Sequence, residues 1–140
     1  MRSWTAHKYV LDTHALVWFV EGNKRLSESA KAILGATNSQ MVLPIIALAE
    51  AAIIIEKGRT TIPNTSKFLT RVYADTRIEI FPLTLDIFER SLTPEGLQIP
   101  ELHDRFIVST GLHLQDLGDT VEIVTKDQAI TDAGVLSVIW

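Results

Sequence analysis

The sequence predicts an α/β fold, a three-layer sandwich in which a central, mostly parallel sheet of about five strands is covered by helices on both faces. Short β-prone runs alternate along the chain with longer helical segments, which is typical of parallel strands joined by helical crossovers. The 140 residues, 46% hydrophobic and 21% charged, suit one globular domain. No repeat, low-complexity tract or linker divides the sequence, so we expect a single domain over residues 1–140.

Turn and cap residues divide the first half of the chain. Gly22 and Asn23 end the apolar run that follows the first strand, and Ser27 is a suitable N-cap for the next helix. Pro44 closes the second strand, and its fixed φ suits the first turn of a helix. The predicted elements are a strand at 8–11, helices at 14–19 and 30–36, a strand at 40–43 and an apolar core helix at 45–57.

The second half continues the alternation. Asn64 and Thr84 each stand where a helix begins, and the breaker-rich segment 93–96 predicts a loop. The predicted elements are helices at 66–74, 84–92 and 102–114, strands at 78–81, 121–124 and 135–139, and a helical turn around 129–130.

Acidic residues occur where predicted strands end or helices begin. Asp12 follows the first strand, Asp127 follows the fourth, Asp104 opens a helix, and Glu50 interrupts an apolar helix. Because the carboxyl ends of parallel strands meet at one edge of a sheet, we expect these side chains to converge in one crevice. Helix capping or an exposed helix face remains an alternative for each acid taken alone.

Clustered carboxylates favour a metal site. Several anionic oxygens held together repel one another unless a divalent cation lies between them. The sequence has no cysteine, so ligands must be oxygen or nitrogen donors, and an all-oxygen set suits Mg²⁺ or Mn²⁺ better than zinc. Such sites polarise phosphate groups and activate water, which is the chemistry of nucleases and phosphatases.

Composition limits the location and the partners. The lack of cysteine excludes a disulfide framework and fits a reducing cytosol. No segment approaches the roughly 20 apolar residues of a membrane helix, and the N-terminus is unlike a signal peptide, so we expect a cytoplasmic protein without membrane contact. The net charge of −4 is unusual for a nucleic-acid binder, although a bound metal would mask part of it.

Four segments of the sequence resemble the successive motifs of one family. They are Tyr9-Val10-Leu11-Asp12-Thr13-His14-Ala15, Leu48-Ala49-Glu50-Ala51 leading to Gly58-Arg59, His103-Asp104-Arg105-Phe106-Ile107-Val108-Ser109-Thr110, and Val124-Thr125-Lys126-Asp127. Together they are similar to PIN domains, and most similar to the VapC-type toxins of bacterial toxin–antitoxin pairs. The resemblance covers nearly the whole chain in the family's order and spacing.

The resemblance implies an endoribonuclease that depends on Mg²⁺ or Mn²⁺ and cleaves RNA by water attack. Asp12, Glu50, Asp104 and Asp127 match the family's acidic quartet, and Thr13 and Thr125 match small hydroxyl residues that support it. Asp12 and Asp104 would hold the metal most directly, while Glu50 and Asp127 would complete its shell or orient the water. An RNA substrate and an antitoxin partner are also implied. Surplus apolar residues at 17–20 and 53–55 favour a homodimer.

Other residues have weaker interpretations. Candidates for RNA phosphate contact are Arg105, Lys126, Lys57 and Arg59, each with an alternative as a solvated charge or an intramolecular partner. The family pattern requires no histidine ligand, so we expect packing or solvent roles for His14 and His103. The tryptophans are predicted to pack, because they are too scattered in the sequence to form a base-stacking platform; they are Trp4, Trp18 and Trp140. The N-terminal extension 1–7 is longer than the family minimum, and no role is assigned to it.

Two other functions compete. The domain could be an RNA-binding or antitoxin-binding module without significant nuclease activity, although the presence of all four acids argues against a degenerate site. Phosphotransfer at an aspartate is disfavoured, because the phosphatase motif requires a second aspartate where His14 stands. A receiver domain requires an aspartate after the third strand, where Pro82 and Leu83 stand.

Overall fold

The computed structural model describes residues 6–140, so Trp4 and most of the N-terminal extension lie outside the described residues. The elements in chain order are β1 (His7–Leu11), α1 (Thr13–Glu21), α2 (Glu28–Gly35), β2 (Gln40–Pro44), α3 (Ile45–Glu56), α4 (Thr65–Ala74), β3 (Ile78–Phe81), α5 (Leu85–Ser91), a 3-10 helix (Gly96–Gln98), α6 (Leu102–Asp116), β4 (Thr120–Val124), α7 (Gln128–Ala133) and β5 (Ser137–Ile139). The strands form one five-stranded sheet in the order β3-β2-β1-β4-β5. All neighbours pair in parallel, which confirms the predicted α/β sandwich.

The strand order reverses at the centre of the sheet. From β1 the chain builds outward through β2 and β3, and later returns to the other side through β4 and β5. A crevice opens at such a reversal, beyond the carboxyl ends of the two central strands. Leu11 lies opposite Val124 in the parallel register, and each is the last residue of its strand. The residues that follow them, Asp12 and Thr125, therefore lie side by side.

The central strands are buried on both faces of the sheet. Val10 and Leu11 are adjacent in β1 and point to opposite faces, yet each is 0% exposed. Ile123 and Val124 in β4 show the same pattern. Helices therefore cover both faces, as parallel sheets require, and the apolar strand ends form a rigid base for the residues that follow them.

The predicted helix starts are confirmed by their caps. The hydroxyl of Ser27 accepts a hydrogen bond from Ala30 N–H at 3.1 Å, and the hydroxyl of Thr84 accepts one from Ile87 N–H at 3.2 Å. Asn64 caps α4 through its side-chain oxygen. Each cap satisfies a backbone donor that the first helical turn leaves unpaired.

Several element bounds differ from the prediction at their ends. Glycines in the left-handed conformation stop two helices, Gly22 with φ 66° after α1 and Gly134 with φ 63° after α7. The helical turn predicted around 129–130 is the short helix α7, and β5 begins at Ser137 rather than at the predicted 135. These shifts arise because caps and hydrogen bonds, rather than apolar periodicity, set the last residue of an element.

Helix α3 is less buried than its apolar sequence predicts. Its buried residues are Ala47, Leu48, Ala51 and Ile55, which lie on one face. Ile45 is 40% exposed and Ile53 is 49% exposed, so the predicted core helix is buried along one side only, and the predicted surplus at 53–55 is exposed at Ile53 but not at Ile55, which is 4% exposed. No helix within residues 6–140 combines the length and apolarity needed to cross a membrane.

The segment before α6 contains a close backbone approach. The predicted loop at 93–96 ends in the 3-10 helix, and a Cβ on Gly96 would lie 2.4 Å from the carbonyl oxygen of Ser91. Beyond that turn, the carbonyl of Ile99 accepts a hydrogen bond from Arg105 Nε at 2.7 Å. These contacts fix the start of α6, which carries Asp104.

Gly96→Ala is expected to lower the free energy of unfolding by about 1–3 kcal/mol, because the added methyl group must displace backbone rather than a flexible side chain. Urea denaturation measures this. Gly35→Ala is the matched control, since a Cβ at the end of α2 meets nothing within 4 Å. It should leave stability unchanged or raise it by up to about 1 kcal/mol. Equal urea midpoints for the two variants would contradict the interpretation.

Candidate active site

A groove of about 520 Å³ opens beyond the carboxyl ends of β1 and β4. Its lining residues are Asp12, Thr13, His14, Trp18, Glu50, Ile54, Glu101, Asp104, Lys126 and Asp127. The four acids singled out in the sequence thus share one cavity. Their catalytic and metal-binding roles stay a prediction.

Asp12 is held by hydrogen bonds on both carboxylate oxygens. Its Oδ1 accepts the Ala15 N–H at 2.8 Å and so caps α1, while its Oδ2 accepts the hydroxyl of Thr125. The Thr125 hydroxyl oxygen in turn accepts the Asp127 N–H at 3.0 Å. Thr125 is completely buried, and it links the two strand-end aspartates. The helix-cap interpretation of Asp12 and a site role are therefore compatible.

Glu50 is oriented from two sides. The hydroxyl of Thr13 donates to its Oε1 at 2.7 Å, and Nδ1 of His103 lies 3.2 Å from its Oε2. His103 Nδ1 also lies 3.0 Å from the Oε1 of Glu101. The expectation of a simple packing or solvent role for His103 is thus wrong, because its ring bridges two carboxylates. Both predicted threonines contact the acids that they were expected to support.

Asp104 lies in the first turn of α6, where several acids surround it. Burial raises the pKa of its carboxyl to about 7, and the charges of nearby carboxylates add to the effect. Those neighbours are, in decreasing order, Asp127, Glu101, Glu50 and Asp12. The groove therefore concentrates negative charge at Asp104.

The pKa of Asp12 is raised as well. Burial is the main cause, and the charge of Asp127 acts in the same direction. Hydrogen bonds from Thr125 and Ala15, and the charge of His14, oppose the rise. Two acids of the groove thus resist ionisation for the same physical reason, which is that negative charge there is poorly solvated and crowded.

Glu101 is a fifth acid that the sequence analysis missed. It caps α6, and its Oε2 accepts the Asp104 N–H at 2.7 Å. Burial alone would raise its pKa, but the N–H groups of Asp104 and His103, with the charge of His103, lower it. Glutamate is not among the preferred N-cap residues, so the local sequence gave no clear cap signal for Glu101.

The donor set of the groove fits a hard divalent cation. Its candidate ligands are carboxylate oxygens, which Mg²⁺ and Mn²⁺ prefer. Within residues 6–140, no three His, Asp or Glu side chains already stand together as a complete binding group. Mg²⁺ usually keeps several waters and takes only one or two carboxylates directly, so the open arrangement remains compatible with such an ion.

Two of the four predicted phosphate contacts face a cavity. Lys126 lines the acidic groove, and Arg59 lines a neighbouring groove of about 750 Å³. Arg105 instead donates to the carbonyl of Ile99, the intramolecular alternative. Lys57 is exposed at the end of α3 and lines neither groove.

Two of the tryptophans meet in space. The rings of Trp18 and Trp140 lie 5.7 Å apart, and the ring of His14 lies 5.5 Å from that of Trp18. The premise that these residues are too scattered is therefore wrong for this pair. The expected packing role is confirmed in part, because both indoles pack against the core.

Asp104→Asn is expected to make the stability of the metal-free protein less dependent on pH. A carboxyl whose folded-state pKa is raised stabilises the fold fully below about pH 4, and that stability is lost as the pH rises through about 7. The melting temperature of the wild type in EDTA should therefore fall relative to that of the variant across this range. Mg²⁺ should raise the melting temperature of the wild type more than that of the variant.

The matched control is Asp132→Asn, which removes an exposed carboxylate of α7 outside the groove. It should follow the wild type at each pH. If the melting temperatures of the wild type and Asp104→Asn change equally with pH from pH 4 to pH 8, the ionised form of Asp104 is not destabilised by its surroundings and the interpretation is wrong.

Several solved structures have a similar fold over almost the whole chain. One is a toxin–antitoxin complex from Klebsiella pneumoniae, with 20% identity, TM-score 0.65, and coverage of 98% of this chain and 97% of that one. Another is VapBC2 from Rickettsia felis bound to a promoter DNA fragment, with 21% identity, TM-score 0.67, and coverage of 94% and 97%. FitAcB from Neisseria gonorrhoeae matches at 16% identity, TM-score 0.60, and coverage of 95% and 96%. At these identities the likeness shows the fold.

The sequence itself gives the family. None of the curated proteins matches it. The family model described as the PIN domain matches residues 9–135, a range that includes all four acids of the groove. The chain therefore belongs to the PIN domain family.

Proposed function

We propose that the protein is an endoribonuclease that depends on Mg²⁺ or Mn²⁺ and acts as the toxin of a toxin–antitoxin pair. PIN domains are generally nucleases, and this chain keeps the acids that such chemistry needs. The main support is that Asp12, Glu50, Asp104 and Asp127 line one groove at the sheet edge. The pKa values of Asp12 and Asp104 are raised because it is unfavourable to ionise these carboxyls in the buried, acidic groove, and a bound cation would offset that cost.

Asp12 and Asp104 would hold the ion. A divalent cation bound there supplies Lewis acidity, which polarises the scissile phosphate and favours attack by water. Thr125 and the Ala15 N–H fix the orientation of Asp12 before substrate arrives. That preorganisation reduces the reorganisation that the reaction would otherwise require.

Glu50 and Asp127 would orient the attacking water. Thr13 and His103 hold the two oxygens of Glu50, so its carboxylate presents a fixed edge to the groove. Asp127 caps α7 through one oxygen, which accepts the Ile130 N–H at 3.0 Å. Lys126, exposed at the rim of the groove, would neutralise a phosphate of the bound strand.

RNA cleavage is expected with Mg²⁺ or Mn²⁺ and not in EDTA. Asp12→Asn should lower kcat/KM by at least about 100-fold, because loss of metal-based charge stabilisation costs several kcal/mol in the transition state. Gel analysis of labelled RNA measures this. Glu56→Gln, an exposed carboxylate on the same helix as Glu50, is the control and should keep activity. Cleavage that survives EDTA would rule out the mechanism.

A binding module without nuclease activity is the second candidate. It is favoured by one observation: within residues 6–140, no three His, Asp or Glu side chains are already arranged to bind a metal ion. Calorimetric titration with Mn²⁺ separates the two functions. A nuclease of the proposed type should give binding heat that disappears in Asp104→Asn, whereas a pure interaction module should give none.

Partners are proposed from the exposed apolar surface. Leu85, Phe88 and Leu92 are 70%, 44% and 52% exposed. Leu85 and Phe88 are three residues apart on one side of α5, and Leu92 is the C-cap residue that follows the helix. We propose this side as a homodimer contact, since exposed apolar patches commonly mark interfaces. The neighbouring toxin–antitoxin folds support an antitoxin as a further partner, with a cytoplasmic location for both.

Leu85→Asp is expected to shift the protein from dimer to monomer, because a charge at the centre of an apolar contact is costly to bury. Sedimentation equilibrium over a range of concentrations measures the mass. Tyr73→Asp is the control, since Tyr73 is a 63% exposed side chain on a different helix, α4. A wild-type protein that stays monomeric, or a Leu85→Asp dimer, would contradict the proposed contact.

A further inference from the structure

Trp18 stands between two adjoining grooves. It lines the acidic groove of about 520 Å³ and also the neighbouring groove of about 750 Å³. His14 and Ile54 line both grooves as well, so the two grooves adjoin along these three side chains. A chain-like ligand with a phosphate at the acids would therefore pass over Trp18 as it enters the second groove.

The indole of Trp18 is held in place by its neighbours. It packs partly against the core, and the rings of His14 and Trp140 meet it at angles of 53° and 55°. Tilted ring contacts of this kind orient an aromatic side chain without covering it by parallel stacking. Trp18 thus offers a fixed apolar surface at the boundary of the two grooves.

Cations surround the indole. The Arg25 guanidinium and the Lys126 ammonium each lie 5.9 Å from its ring centroid, at the outer limit of cation–π contact. Both side chains are exposed, and neither forms an ion pair with any residue in the described range 6–140. Arg59 in the second groove is also without such a pair. In contrast, Arg77 and Arg90 are committed to carboxylates.

The one acid of the second groove is already engaged. Glu21 Oε2 accepts the N–H and the hydroxyl of Thr61 at 2.8 and 3.0 Å, and Oε1 accepts from Asn23 at 3.0 Å. These hydrogen bonds join the end of α1 to the segment after α3 and shape the groove wall. Glu21 keeps its negative charge, but Arg25 and Arg59 both line the same groove, so two cations against one anion leave this groove positive despite the net charge of −4 of the chain.

We propose that Trp18 is a stacking platform for one base of single-stranded RNA, next to the nucleotide whose phosphate occupies the acidic groove. The proposal deepens the proposed nuclease function and rests on it for the position of the scissile phosphate. An aromatic plane matches the face of a base, and flexible cations beside it match the flanking phosphates. A duplex hides its base faces within its own stack, so the surface selects single strands.

The occupant is RNA rather than a partner protein because both kinds of recognition group are present together. An apolar side chain of a partner protein would contact the indole but make no use of the two cations beside it. An arginine or lysine of a partner would be repelled by Arg25 and Lys126. A phosphate chain meets them as counter-charges. Long exposed cations can swing from the indole to phosphates while the base takes the ring face.

Binding is tested without cleavage. With Ca²⁺ in place of Mg²⁺ or Mn²⁺, a cation that compensates the carboxylates but lacks the near-octahedral geometry of Mg²⁺, fluorescence anisotropy compares a labelled 12-nucleotide RNA with its duplex. The single strand should bind at least about tenfold more tightly. Trp18→Leu should lose about tenfold in affinity, and Trp18→Phe, which keeps an aromatic plane, should lose much less. Tyr73→Leu removes an exposed aromatic ring outside both grooves and should have no effect.

Abasic substitution separates stacking from loss of structure, because it leaves the protein unchanged. Removing the base at one position of the RNA should weaken binding to the protein with Trp18 but not binding to Trp18→Leu, which is the coupling expected of a direct contact. In Trp4→Phe/Trp140→Phe protein, the same RNA should quench the fluorescence of Trp18. The platform is wrong if no position of the RNA shows this dependence on Trp18, or if the duplex binds as tightly as the single strand.

The outcomes distinguish the two proposals. If metal-dependent cleavage is present but Trp18→Leu behaves like Tyr73→Leu in binding, the platform is wrong and the nuclease stands. If the abasic coupling is present but no RNA is cut with Mg²⁺ or Mn²⁺, the platform stands and the nuclease is wrong. Failure of any RNA to bind overturns the platform and leaves a partner protein as the occupant of this surface.

Discussion

The parallel pairing of β1 with β4 is the constraint on which the candidate site depends. It places Leu11 opposite Val124, so the two strands end together and the next residues of each enter the same crevice. Thr125 then hydrogen-bonds to Asp12 across the strand boundary and to the backbone of Asp127. A slip of one residue would turn Asp12 away from this partner, since successive side chains of a strand point to opposite faces.

The same geometry brings several carboxylates close together, which makes their ionisation unfavourable. The pKa values of Asp104 and Asp12 are raised because burial and neighbouring carboxylates oppose ionisation. A protein selected for stability alone would avoid such a cluster, and sites that break local rules in this way are commonly functional. The opposite charge is gathered nearby, where Arg25 and Lys126 approach Trp18 without an ion pair inside the described residues. The anionic groove thus has cations beside it, and one of them, Lys126, stands at its own rim.

Local chemistry explains which predictions succeeded and which failed. Helix starts at Ser27 and Thr84 were predictable because a cap acts within three residues of its own position. The buried side of α3 was not predictable, because an apolar composition does not reveal which side of a helix meets the core: within the surplus predicted at 53–55, Ile53 is exposed and Ile55 is buried. Glu101 was missed because glutamate is an uncommon helix cap, and only the structure shows that it caps α6 and lines the groove with the other acids.

The sequence by itself determined the family, the alternation of strands and helices, and the identity of the four acids, because these depend on residue type and on order along the chain. The tertiary structure decided which side chains meet. His103 bridges Glu50 and Glu101, and Trp18 contacts Trp140 from the far end of the chain. Such contacts depend on strand order and helix rotation, which result from packing of the whole core and leave no mark in the local sequence around either partner.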